Sequence, residues 1–406
     1  MSPMPPRQTR APHRHARRVL LVGAAAALLS ACGGGGFSPG DLFNNSGAPP
    51  PPQAGPAATI GTGQVKVALV LPLSAAGNAG LAGQSMRNAA ELALAEFNNP
   101  NIQLLVKDDG GSSQGAQQAT QQALDEGAEI VLGPLFAHSV APAGQTARAR
   151  GIPVIAFSTD SNVAGRGVYL LSFLPESDVD RIVDYAVAQG RRSFVAVMPD
   201  NAYGSVAEAE FKQAVSRKGA RVVAVERYPA DRAKMGEAAR LIAQAASRAD
   251  AIFIPDSGDA LPSVAQTLTA NGVNLKRLQM LGTGLWDDPR VFSEPALEGA
   301  WYAAPDSGGF RAFSARYRAR YGQDPVRTAT LAYDAAALVA ALVKTQGAQR
   351  FSPEILTNSS GFAGIDGVFR FRADGTSQRG LAVLKVTPQG GQVISPAPRS
   401  FGASGT

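Results

Sequence analysis

Short apolar runs alternate with helically spaced apolar residues through most of this 406-residue chain, and that alternation most narrows its possible folds. Val65-Lys66-Val67-Ala68-Leu69-Val70-Leu71 is a near-continuous apolar strand. Ala82 to Phe97 follows, with Met86, Ala90, Ala93, Leu94 and Phe97 at helical spacing. The pattern predicts further strands at Ile102 to Val106, Ile130 to Leu132, Val154 to Phe157, Phe194 to Met198, Arg221 to Val225, Ala251 to Ile254, Leu278 to Leu281 and Trp301 to Ala304. Helices are expected from about Gln114, Ser139, Ser205, Lys234 and Leu261. Strands buried on both faces by helices read this way in parallel sheets. The body from Gln64 to Ser395 exceeds one ordinary core, so two α/β lobes are expected.

The segment before the body has a different character. Arg7, Arg10, Arg14, Arg17 and Arg18 precede an apolar run from Val19 to Leu29 that is shorter than the ~20 residues a membrane span needs. Residues 1–31 therefore read as an export signal. Leu29-Ser30-Ala31-Cys32 resembles the lipobox of bacterial lipoproteins, which implies that Cys32, the only cysteine, is acylated and becomes the first mature residue. Residues 32–63 are rich in Gly, Pro, Ser, Asn and Ala, including Pro49-Pro50-Pro51-Pro52, and are expected to be a disordered tether. Residues 396–406 are expected to be a flexible tail.

Those boundaries also set the chemistry. The chain has 38 Lys and Arg against 32 Asp and Glu, and five of the basic residues sit in the leader, so the mature chain is near neutral. That balance gives no basic footprint for nucleic acid. Of three histidines, His13 and His15 leave with the leader, and His138 stays. One histidine and one acylated cysteine exclude disulfides and a His/Cys zinc site. No metal or cofactor is expected.

In open parallel sheets, ligands bind beyond the carboxyl ends of the strands. Here those ends carry small, polar, Gly-rich loops: Leu71 to Ser74, Lys107 to Gly110, Gly133 to Ser139, Ala156 to Asp160, Pro199 to Gly204, Pro255 to Gly258 and Gly282 to Trp286. Gly111-Ser112-Ser113-Gln114-Gly115 formally fits a nucleophile elbow, but no histidine follows in triad order, so a helix cap is preferred and no enzyme is expected. Asp108-Asp109 reads as a turn cap rather than a cation site, because hard cations usually need more oxygen ligands than one dipeptide gives. His138 contacts a ligand or stands solvated in its loop. Trp286 stacks on a ligand or packs between the lobes, with packing preferred.

Read in order, several of these segments resemble the leucine/isoleucine/valine-binding family of type I periplasmic solute-binding proteins. They are "VALVLPLSAAG", "AGQSMRNAAELALAEFN", "LLVKDDGGSSQGA", "VLGPLFAHSVAPAG", "GIPVIAFSTDS", "FVAVMPDNAYG", "ADAIFIPD", "LEGAWYAAP" and "FAGIDGVFRFRADG". The resemblance implies two Rossmann-like lobes with parallel sheets, joined by three crossovers near Pro175, Pro305 and Gly364. The N-terminal lobe would hold 64–175 and 306–363, and the C-terminal lobe 176–305 and 364–395. It also implies a ligand in the cleft between them. The family's serine for the ligand carboxylate aligns on Ala137, with His138 and Ser139 next. Its threonine falls on Asp160, after Ser158 and Thr159, and its cleft tyrosine matches Tyr203. Its acid for the ligand ammonium falls at Gly284. The expected ligand set is Ala137, His138, Ser139, Ser158, Thr159, Asp160, Tyr203, Asp256 and Trp286.

Two functions fit this reading. One is a lipid-anchored periplasmic protein that binds an amino acid or related small polar ligand and delivers it to an ABC importer permease. The other is a lipoprotein activator of penicillin-binding proteins, a class that shares the fold and needs no small ligand. The altered pocket, the long tether and Gly33 after Cys32, which points to the outer membrane, favour the activator. The match along the whole body favours the binding protein, which is the reading adopted.

Overall fold

The computed structural model describes residues 59–98, 100–229 and 234–402; the leader, Cys32 and the tether up to residue 58 lie outside them. The chain begins with β1 (Thr59–Ile60), β2 (Val65–Leu71), α1 (Asn78–Glu96), β3 (Ile102–Asp108), α2 (Ser113–Asp125), β4 (Ile130–Leu132), α3 (Ala137–Arg148), β5 (Val154–Ala156) and β6 (Val168–Leu170). These strands form one sheet in the order β1-β3-β2-β4-β5-β6. All neighbours are parallel except β1, which runs antiparallel to β3 and pairs Thr59 with Leu105. The last residues assigned to the tether thus begin the body, because β1 covers the otherwise open edge of β3.

The second lobe follows with α4 (Pro175–Ala188), β7 (Ser193–Pro199), α5 (Ala202–Arg217), β8 (Arg221–Tyr228), α6 (Met235–Ala246), β9 (Ala251–Phe253), α7 (Leu261–Ala270), β10 (Gln279–Gly282), α8 (Pro289–Phe292) and β11 (Trp301–Ala304). The chain returns to the first lobe through α9 (Ser307–Tyr321), α10 (Ala329–Thr345) and α11 (Pro353–Leu356). It then makes a small antiparallel sheet, β12 (Phe362–Gly364), β13 (Gly367–Phe371) and β14 (Ser377–Arg379). Finally β15 (Ala382–Thr387) and β16 (Gly390–Ser395) extend the second sheet, whose order is β16-β15-β11-β10-β9-β7-β8.

The two-residue period of a strand explains how each sheet is covered on both faces. In β2, Val67, Leu69 and Leu71 face a core shared with Met86 and Ala90 of α1 and Leu331 and Val339 of α10. Ala68 and Val70 face the opposite core, with Ala119 and Ala123 of α2 and Val140 of α3. In β7, Val195 and Val197 meet Ile242 and Leu268, whereas Phe194, Ala196 and Met198 meet Ile182 and Phe211. Continuous apolar runs are required here because neither face reaches water.

Core membership also locates the passages between lobes. Leu174 belongs to the first lobe's core and Val179 to the second's, and Ala304 to the second's while Phe313 packs with Ala89 and Leu92 of the first. The first passage thus lies between Leu174 and Val179, and the second between Ala304 and Phe313. The third differs: Phe369 and Phe371 bury in the first core beside Val67, and Leu381 is the first to join the second. The crossing is therefore near Gly380, not Gly364, because the β13 phenylalanines need the first lobe to cover them. The tail is also corrected. Ala397 packs on the second core and Phe401 sits over Arg370 of β13, so 396–402 is docked.

Arg327 and Asp366 tie α10 to the small sheet. The guanidinium meets the carboxylate through Nη2–Oδ1 at 2.6 Å and Nη1–Oδ2 at 3.0 Å, while Thr330 donates to Oδ2 at 2.6 Å. Phe173 and Phe310 each lie 4.6 Å from the same guanidinium. Burial pushes the Asp366 carboxyl up, yet the Arg327 charge and hydrogen bonds hold it below its ordinary value. Removing one partner strands the other, so Asp366→Ala is expected to cost about 3–5 kcal/mol in urea unfolding at pH 7. A depressed value means that this stability is lost as pH falls below about 4, so the difference between variant and wild type should shrink there. An equal difference at both pH values would show that the ion pair is not its source.

Candidate functional site

Parallel strands place every strand-to-helix loop at one end of each sheet, and the expected site residues sit on those loops. In the first lobe, the β4–α3 loop carries Leu135 and Phe136 into Ala137, His138 and Ser139, the first three residues of α3. This 12-residue helix opens without a capping side chain; the Ser139 N–H donates to Phe136 O at 2.9 Å, and the positive end of the dipole lies at Ala137 and His138. Ser139 is fully buried, and its Oγ makes no hydrogen bond to the protein.

His138 is exposed, stacks on Phe136 with ring centroids 5.6 Å apart, and sets Nε2 2.9 Å from the Gly111 carbonyl oxygen. Its own carbonyl accepts from Ser113 Oγ at 2.8 Å, so the loops after β3 and β4 are joined. Ser112 caps α2 by accepting from Gly115 N–H at 3.0 Å. Asp108 and Asp109 close the preceding turn, accepting from Gly110 N–H at 2.9 Å and Gly111 N–H at 2.7 Å.

The third loop folds on itself. Ser158 is buried and accepts from Asp160 N–H at 3.1 Å. Asp160 accepts from the Asn162 backbone N–H at 3.0 Å and its side-chain amide at 2.8 Å, capping the short helical turn at Ser161–Val163. Thr159 lies between them, half-buried. Much of the Asp160 charge is thus spent on its own loop.

In the second lobe, Tyr203 at the start of α5 donates to Thr283 Oγ1 at 2.8 Å. Next to Thr283, Gly284 donates its N–H to Asp178 Oδ2 at 2.9 Å. Burial pushes the Asp178 carboxyl up to about 7 against the pull of the Gly284 N–H and the Arg379 charge, with Glu176 adding to the rise. Burial also raises the Tyr203 hydroxyl, followed by the negative charge of Asp178. Asp256 is buried, accepts from Tyr228 OH and from Ser257 N–H at 2.7 Å, and contributes to the same field.

Trp286 takes the preferred packing alternative, but inside the second lobe and not between the lobes, and so leaves the expected ligand set. It is fully buried, donates from Nε1 to Ile254 O at 3.0 Å and packs with Tyr302 and Leu297 in the second lobe's core. Its large apolar surface is better covered there than at a solvated rim.

The structure also adds residues the sequence did not reveal. Asp178 lies 106 positions from Gly284, and nothing local marked it. Its position in the first turn of α4 looks like an ordinary favourable helix-end charge. Asp109, read from the sequence only as part of a turn cap, is 1% exposed, and its Oδ2 makes no hydrogen bond to the protein. A cavity of about 880 Å³ opens elsewhere, between α4 and α5 on one side and Arg372, Gln378 and Phe401 on the other. None of the expected site residues lines it. Among the described residues, no group of three or more His, Cys, Asp or Glu is placed to hold a metal ion, and no helix is long and apolar enough to cross a membrane.

Comparison with known proteins gives one family. The model of the periplasmic binding protein family matches residues 64–392. No curated protein matches the chain. Among solved structures, it is similar to a branched chain amino acid ABC transporter periplasmic ligand-binding protein from Burkholderia xenovorans. That match has 19% identity and a TM-score of 0.66, covering 84% of this chain and 97% of the other. A solute binding protein from R. palustris in complex with benzoate is 20% identical, with a TM-score of 0.56, covering 84% of this chain and 100% of the other. A branched-chain amino acid transporter substrate binding protein from Streptococcus pneumoniae, in complex with isoleucine, is 18% identical with a TM-score of 0.56, covering 82% and 99%.

The buried Asp109 gives a test of the rim's electrostatics. Burial pushes its carboxyl up to about 6; the Gly111 N–H opposes this, nearby Asp108 adds to it and His138 offsets it. The folded state therefore keeps a proton that the unfolded chain loses between about pH 4 and 6, and stability falls as pH rises through that window. Asp109→Asn should gain on wild type from pH 4 to pH 7 by on the order of 1–3 kcal/mol in urea unfolding. Parallel pH profiles for the two proteins would contradict this.

Proposed function

The chain belongs to the periplasmic binding protein family, and from that premise we propose that it binds an amino acid, or a closely related small carboxylate, between its lobes for ABC-type import. One observation carries the reading: one lobe presents a helix start with no side-chain cap, and the other a buried carboxylate beside a tyrosine and a threonine. The uncapped start of α3, with buried Ser139, suits a carboxylate. The cluster of Asp178, Tyr203 and Thr283 suits an ammonium group.

Asp178 also bears on the residue that appeared to be missing. The family's ammonium-binding acid falls at Gly284, which has no side chain. A β-carbon placed on Gly284 would stand 3.1 Å from Asp178 Oδ2. A carboxylate from α4 thus reaches the place that residue 284 leaves empty, which supports an amino acid over a ligand lacking an ammonium group. Anchoring through an acylated Cys32 belongs to the same proposal. Intact-mass analysis of membrane-extracted protein should show a diacylglycerol adduct, and a mass without lipid would remove the anchor.

A thermal-shift screen of the L-amino acids and benzoate should give a ligand that raises the unfolding temperature. Calorimetry on Asp178→Asn should then show amino-acid affinity falling about 10- to 100-fold, the range of a charge-assisted hydrogen bond of about 1.5–3 kcal/mol. Binding of benzoate, which has no ammonium group, should change little. Equal affinity of variant and wild type for the amino acid would remove Asp178 from the site. If no small carboxylate binds and a penicillin-binding protein co-purifies instead, the import reading fails and the activator reading takes its place.

A further inference from the structure

The end of the chain makes a span between the lobes that the three crossovers do not account for. β16 closes the second lobe at Ser395, whose Oγ accepts from Arg181 Nη2 of α4 at 2.7 Å, while Arg181 Nε donates to Leu381 O at 2.9 Å. Ala397 still packs on the second core. Pro398 then lies against Gly380, where an added β-carbon would come within 2.9 Å of its Cγ. Phe401 ends on the first lobe's small sheet. Its ring is 4.7 Å from the Arg370 guanidinium and would be 2.8 Å from a β-carbon on Gly361. Gly361 has a φ of +74°, so glycine is favoured there on backbone grounds as well as for space.

This path runs along the cavity between the lobes. Glu176, Asp180 and Glu210 line it from the second lobe, Arg372 and Gln378 from the first, and Pro396, Pro398 and Phe401 from the tail. The tail thus crosses a cavity of about 880 Å³ that lies between residues of the two lobes. The seat on the first lobe is prepared for it: Arg370 is held by Gln378 Oε1 at 2.9 Å and by Ser359 O at 3.0 Å, which presents the guanidinium to the Phe401 ring.

We propose that residues 396–402 are a strap across the lobe junction that limits how far the lobes swing apart, and that it releases when Phe401 leaves its seat on Arg370 and Gly361. The strap is fixed covalently to the second lobe and held on the first by side-chain contacts. It therefore has a docked and a released state whose ratio sets the range of lobe motion. This role does not depend on which ligand the cleft takes.

The test uses the full chain with Cys32→Ser and spin labels on cysteines replacing Gln117 and Lys276, both exposed and in different lobes. Pulsed dipolar spectroscopy without ligand reads the interlobe distance distribution. Phe401→Ala should lower the docked-to-released ratio about two- to fivefold, the range an exposed cation–π contact supports, and broaden the distribution toward longer distances. Arg370→Ala should do the same, and the double variant should go no further than either single one. Phe401→Trp should restore the narrow distribution. Should Phe401→Ala fail to fold, Arg370→Ala gives the same reading from the other side of the contact. An unchanged distribution in either folded variant overturns the strap.

Discussion

Parallel strands cannot be joined by tight turns, and this constraint organises the whole molecule. Each strand must hand the chain to a helix that carries it back across the sheet, so both faces become covered and every strand must be apolar throughout. Val67, Leu69 and Leu71 go to one core while Ala68 and Val70 go to the other. The same return path gathers the strand-to-helix loops at one edge of each sheet. Backbone groups and short polar side chains collect there because the sheet has already met the demands of the core. The candidate site is thus a by-product of how the cores are closed.

Charge burial at the lobe junction is the second organising feature. Arg379 is 6% exposed, with Nε and Nη2 making no hydrogen bond to the protein, and Asp334 Oδ2 is likewise unpaired. Burial raises Asp334 to about 7 despite the nearby Arg379 charge, and burial lowers Arg379 despite Asp366 and Asp334. Unsatisfied buried polar groups are costly, so they rarely persist where packing alone would serve. Here they sit on α10 and the small sheet, and Asp178 of α4 belongs to the same electrostatic field. Buried charges from both lobes therefore act on one another at the junction.

The sequence made much of this legible because strand and helix periods are local. The β2 run, the α1 spacing and the Ser112 cap could be read directly. The small β12–β14 sheet was not legible in the same way: Phe369 and Phe371 alternate like any strand, and nothing nearby says which lobe covers them. Trp286 shows the same limit. Packing was preferred over stacking on a ligand, but the sequence did not say where, and the Ile254 carbonyl and the apolar space beneath it turned the indole into the second lobe's own core.

The sequence by itself determined which residues form strands, which faces are apolar and which loops share an edge, since hydrophobic period and turn chemistry depend on near neighbours. Tertiary structure alone decided that Asp178 meets Gly284, that Phe401 seats on Arg370, and that the third crossing waits until Gly380. Each of these pairs residues far apart in the chain. Such contacts depend on how two separately closed cores face each other, and that geometry follows from the packing of whole elements rather than from any local pattern.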